Sequence, residues 1–143
     1  MQKSYCYKIN IFNDYETPWE GTRVVKKKDL YSIDYLRQKI LSKNLKYSFF
    51  RFDKEKDIQL FNNGGWHFNN LFSPKEISIK LKTFAHTEFS NKKYSSISVI
   101  KKNILERRDL FSRDRIYKKV VLDNSYPKYI LDNVKNLSQF IDK

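Results

Sequence analysis

Histidine and glycine are the scarce residues of this chain, and they stand close together. The sequence has two histidines, His67 and His86, and three glycines, of which Gly64 and Gly65 precede Trp66-His67-Phe68. Imidazole is the side chain best suited to move a proton or hold a metal ion near neutral pH. Glycine is used where the backbone reaches positive φ or must approach another group closely. Chemistry is therefore expected in two nearby runs, Phe-Asn-Asn-Gly-Gly-Trp-His-Phe over residues 61–68 and Lys-Thr-Phe-Ala-His-Thr-Glu-Phe over residues 82–89. His67 is the candidate proton-transfer group or metal ligand. Glu88 is a candidate base, or a carboxylate that orients a histidine. The competing reading makes His67 and His86 packed, hydrogen-bonded histidines and Glu88 a surface helix residue.

Around this centre, Trp19 reads either as a core plug beside the turn at Pro18 and Gly21 or as a stacking platform for a ring. Arg23 reads as a phosphate contact or a surface ion pair. Trp66 reads as half core, half platform. The single Cys6 excludes an internal disulfide and a cysteine-based zinc site. Neither common glycine-rich phosphate loop is present, and no serine stands in a nucleophile elbow. The run Asp53-Lys-Glu-Lys-Asp57 has its carboxylates interleaved with lysines at a turn, which favours a solvated loop over a metal site.

The elements that must position these residues follow from local pattern. Residues 4–12, rich in aromatic and β-branched side chains, predict a strand. Residues 22–27 predict a short strand, and Asp29 a cap for a helix over 30–42 with Ile33, Leu36, Arg37 and Ile40 on one face. Residues 47–52 and 57–61 read as a β-hairpin. Ser73-Pro74-Lys75-Glu76 is a capping-box start for a helix that buries Ile77, Leu81, Phe84 and Ala85. A further helix is expected over 94–105, a strand over 118–123, a helix opening at Pro127, and a docked segment over 137–141. A strand starting this near Met1 suits a piece of a larger domain, and its edge is expected to be unpaired.

Composition bounds the rest. With 40% hydrophobic and 16% aromatic residues the chain supports one core, largely of Phe and Tyr. No apolar run approaches the ~18 residues of a membrane span, and no signal-peptide pattern opens the chain, so a cytoplasmic location and no membrane span are expected. The formal charge of +13 raises a nucleic-acid reading. Lysines spread over the whole length and outnumbering arginines argue against it, since bidentate phosphate and base contacts favour arginine.

The blocks Asn-Gly-Gly-Trp-His-Phe and Phe-Ala-His-Thr-Glu-Phe resemble glycosyltransferase family 17, together with Trp-Glu-Gly-Thr-Arg at 19–23, Leu-Arg at 36–37 and Asp-Leu-Phe-Ser-Arg at 109–113. This is the family of the β-1,4-N-acetylglucosaminyltransferase that adds the bisecting residue to N-glycans. The resemblance covers nearly the whole chain, but only the C-terminal half of the family. It implies an α/β fold, the C-terminal portion of a GT-A-like fold, with a short mixed sheet and several helices. Residues 1–143 would form a single partial domain, the acceptor-side half.

It also implies transfer of N-acetylglucosamine from UDP-N-acetylglucosamine to a glycan, with a divalent metal (Mn or Mg) in the complete enzyme. His67 and Glu88 would be catalytic, His67 also a metal ligand, and Trp19, Arg23, Gly64, Gly65, Trp66 and His86 would bind substrate. No Asp-x-Asp occurs in the sequence. The acidic metal-binding motif is thus expected in a separate or preceding N-terminal half. The alternatives are a non-catalytic basic module for nucleic acid or anionic glycans, and a decayed fragment.

Overall fold

The Ser-Tyr-Cys run near the N-terminus lies at the middle of the molecule rather than at its edge. In the computed structural model, which describes residues 1–83 and 89–143, β1 (Lys3–Cys6) is paired on both sides. It runs parallel to β3 (Trp66–Asn69) and antiparallel to β2 (Ile11–Phe12), and β4 (Lys118–Lys119) completes a four-stranded mixed sheet of order β3-β1-β2-β4. The expectation of an unpaired edge at Ser4 is thereby corrected. The edges among the described residues are β3 and β4.

Both faces of β1 are covered, which is why three successive residues of different character are all buried. Cys6 turns to one cluster, with Tyr7, Ile11, Ile77, Leu81, Ile100, Leu110 and Tyr117. Tyr5 turns to the other, with Ile9, Tyr126 and Ile130, and with Trp66, Phe68 and Phe140 packed against it. The single strand expected over 4–12 is broken at Tyr7, whose φ of 67° reverses the chain so that Tyr5 pairs with Phe12.

Helix α2 (Pro74–Thr83) starts as the capping box predicts. Ser73 N and Oγ donate to Glu76 Oε2 at 2.8 and 2.7 Å, and Glu76 N donates back to Ser73 Oγ at 3.3 Å. Ile77 and Leu81 are buried; Phe84 and Ala85, expected on the same stripe, lie outside the described residues. The helix expected over 94–105 is two, α3 (Lys92–Ser95) and α4 (Ile97–Leu105), separated by the extended Ser96. Ile100 is fully buried at their contact with α2, whereas Ile97 and Leu105 face out. Pro127 precedes α5 (Lys128–Asp132), and Phe140 docks the C-terminal segment by accepting from Ile9 N at 2.8 Å.

Four expectations are met only in part or not at all, for one reason: a local pattern does not guarantee a partner. Helix α1 is only Ile33–Gln38, is capped by Ser32 rather than Asp29, and buries no residue. Residues 22–27 form no strand, and Val24 is exposed. Residues 47–61 form turns instead of a hairpin, held by local bonds such as Arg51 to Asp53 and the Lys56 and Asp57 amides to Glu55. The strand over 118–123 shrinks to two residues paired with β2. The molecule is a mixed α/β fold, and among the described residues no helix is long and apolar enough to cross a membrane.

Candidate functional site

His67 is placed by the parallel ladder that sets Ser4 opposite it and Cys6 opposite Asn69. Side chains alternate along a strand, so while Trp66 and Phe68 pack against the Tyr5 cluster, His67 and Asn69 project from the other face, toward α2. Trp19 arrives there by a two-way backbone bridge to Gln2, with Gln2 N to Trp19 O at 2.9 Å and Trp19 N to Gln2 O at 2.8 Å. The indole then stacks on the His67 imidazole, with centroids 3.7 Å apart and planes 18° from parallel.

Gly21 makes this stack possible. A Cβ at Gly21 would lie 1.8 Å from Trp19 Cη2 and 2.1 Å from Cζ2 and Cζ3. Any side chain there would displace the ring. With His67 on the indole and Gly21 against it, Trp19 is a clamp for the histidine more than an open platform. Trp66 sits apart from this pair, its indole N–H donating to Ser125 O at 3.1 Å.

Two charges flank the imidazole. Burial pushes the His67 pKa below its ordinary value; the Glu16 carboxylate works against that shift and the Lys80 ammonium adds to it. His67 is therefore an unprotonated base at pH 7, and among the described residues its ring nitrogens have no hydrogen-bond partner. Lys80 is held by Asn70 Oδ1 at 2.9 Å and Asn69 Oδ1 at 3.5 Å. Glu16 closes a short 3-10 turn capped by Asn13. It stands 3.5 Å from both Arg113 and Arg115. Arg113 in turn grips the buried Asp109, which also accepts from Tyr117 OH at 2.7 Å and Phe111 N at 2.8 Å. Sequence reasoning assigned no role to Glu16, Lys80 or Asp109. For Asp109 the quoted block was the available signal; for Glu16 and Lys80 there was none.

From Trp19 the chain passes into a cleft of about 620 Å³ lined by Glu20, Thr22, Arg23, Asp57, Phe61 and Gly64, among others. Arg23 is half-buried there and forms no ion pair among the described residues. Glu20 accepts from Ser42 N at 2.9 Å. Gly65 has φ of 142°, while Gly64 does not need positive φ and would hold a Cβ 3.4 Å from Met1 O and Phe61 O. Only the second glycine of the turn is demanded by the backbone. Arg23 and Gly64 thus line the cleft, Trp19 and His67 stack on each other outside its lining, and Trp66 packs against the Tyr5 cluster. His86 and Glu88 lie outside the described residues.

Among the described residues no three His, Cys, Asp or Glu side chains are grouped to hold a metal ion. Glu16, the carboxylate felt by His67, is already matched by two arginines. Comparison with family models, with curated proteins and with solved structures found no match to this chain.

Proposed function

We propose that this chain is the acceptor-side half of an N-acetylglucosaminyltransferase, using UDP-N-acetylglucosamine as donor and a glycan as acceptor. The observation that carries the reading is the Trp19–His67 stack. It joins two of the blocks behind the resemblance, Trp-Glu-Gly-Thr-Arg and Gly-Gly-Trp-His-Phe, which are far apart in sequence. Arg113 of a third block reaches Glu16, just before the first.

The adjoining cleft supports a neutral, polyhydroxylated ligand. The chain carries 29 Lys and Arg against 16 Asp and Glu, yet among the described residues Arg23 is the one Lys or Arg side chain lining this cleft, against Glu20 and Asp57. Carboxylates and amides accept sugar hydroxyls, and Val25, Leu36 and Ile40 offer apolar surface to a pyranose ring. A nucleic-acid site would invert that balance.

In the proposed reaction an acceptor hydroxyl attacks the anomeric carbon of the donor. The O–C bond forms as the bond to UDP breaks, and the hydroxyl proton passes to a base. Unprotonated His67, fixed by Trp19 and without a competing partner among the described residues, has the free lone pair this requires. In this proposal the group that neutralises the diphosphate comes from the N-terminal half that the resemblance implies.

Titration of the chain with the trimannosyl-chitobiose core, followed by NMR of the Trp19 indole and His67 ring, tests the reading. Saturable shifts at both, absent with a single-stranded oligonucleotide, are expected. Shifts with the oligonucleotide alone would replace this reading with a nucleic-acid module; no shift with either would leave it without support from binding.

A further inference from the structure

The turn over residues 47–56 presents an arrangement that the sugar site does not use. Phe49, Phe50 and Phe52 are 79, 79 and 83% exposed, although they stand within four consecutive residues. Neither core cluster includes them. They touch one another edge to face, Phe49 with Phe50 at 77° and with Phe52 at 72°, both at 6.3 Å. The result is an apolar knob of three rings in mutual contact. Contiguous exposed apolar groups of this kind mark contact with a partner or a membrane.

The surroundings choose between occupants. Lys43, Lys46, Arg51, Lys54 and Lys56 stand within six residues of the knob in sequence, against Asp53 and Glu55. Lys43 and Lys46 are exposed and form no ion pair among the described residues. Asp53 binds both Arg51, at 2.7 Å, and Lys54, at 3.1 Å. Arg51 and Lys54 lie over the Tyr47 ring, and Lys56 over Phe49. A second copy of this chain is disfavoured, because it would set the same basic ring against itself at a net charge of +13 per chain. Single-stranded nucleic acid needs open, successive ring faces for base stacking. Here the rings are crossed, and a cation covers Phe49.

We propose that this loop is a membrane-surface anchor, in which Phe49, Phe50 and Phe52 enter the headgroup–acyl boundary of an anionic bilayer while Lys43 and Lys46 lie among the phosphates. Apolar burial and attraction to anionic lipid then act together, the combination that governs interfacial binding. The loop lies outside the His67 site, so this anchor stands whether or not the chain transfers sugar.

Vesicle flotation of the full chain is the test, with phosphatidylcholine vesicles containing phosphatidylserine, pure phosphatidylcholine vesicles, and oligouridylate as a competitor. The chain is expected to float with the anionic vesicles, less so at high salt, and poorly with neutral ones. Phe49→Ser/Phe50→Ser/Phe52→Ser should weaken partition by at least ~10-fold with an unchanged melting temperature, since all three side chains are exposed. Lys43→Gln/Lys46→Gln should remove part of the preference for phosphatidylserine. Equal flotation of wild type and the triple variant overturns the proposal. So does oligouridylate binding without vesicle binding, or self-association that only the triple variant loses.

Discussion

Arg113 donates to Asp109 across 2.5 Å from a side chain that is 41% exposed to one that is 1% exposed. The pair runs from surface to core. Its inner end anchors the irregular segment after α4 through Tyr117 and the Phe111 amide, and its outer end meets Glu16 beside the candidate site.

Asp109→Asn should therefore destabilise the fold by about 2 kcal/mol, the scale for a charged hydrogen bond that is partly open to water. Burial raises the Asp109 pKa, but the Arg113, Tyr117 and Phe111 hydrogen bonds outweigh it and leave a net depression. A depressed carboxylate stabilises above its unfolded pKa, and that contribution is lost as pH falls through the folded value. The difference in urea midpoint between wild type and Asp109→Asn should be constant near neutrality and shrink below about pH 4. A difference that grows on acidification would contradict this assignment.

The two glycines of the turn should behave differently. Gly65→Ala forces an L-residue to φ of 142° and should cost more than ~1 kcal/mol. Gly64→Ala places its Cβ at ordinary contact distance and should cost at most ~0.5 kcal/mol. Paired denaturation curves decide, and equal costs would mean that positive φ is not what the turn requires.

Gly21→Ala tests the stack without replacing either Trp19 or His67. The new methyl must push the Trp19 indole away. His67 then gains solvent, and its depressed pKa, caused first by burial, should rise toward the ordinary value near 6.5. An NMR titration of the imidazole C–H protons reads this directly. An unchanged His67 titration would show that Trp19 does not shield it.

His67→Ala, in the chain supplied with an upstream half, should lower N-acetylglucosamine transfer by ~100-fold or more if the imidazole takes the acceptor proton. His67→Gln keeps much of the ring's bulk and should lose a similar factor. Matched melting curves separate chemistry from folding, and full activity in both variants would remove His67 from the mechanism.

Much of the helical half was legible in the sequence because its signals are local. The Ser73–Glu76 box, Pro127 and the Ile77–Leu81 spacing act within one or two turns. Residues 47–61 misled because alternating aromatics look the same whether or not a neighbouring strand exists; Phe49 and Phe52 found none. Trp19 and His67 were each recognisable by residue type. Their stacking was not, since it depends on β1 lying between the segments that carry them. Glu16 and Lys80 were invisible for the same reason: each is one unremarkable charge in a chain rich in charge.

The parallel pairing of β1 with β3 also orders events in time. Ser4 cannot meet His67 until most of the intervening chain has been drawn into a closed loop, and pairings between distant segments form slowly compared with helices. The hairpin between β1 and β2 and the helices α2 to α4 can collapse beforehand. Indole–imidazole contact is then among the last features to arise in refolding, and its formation marks completion of the native sheet.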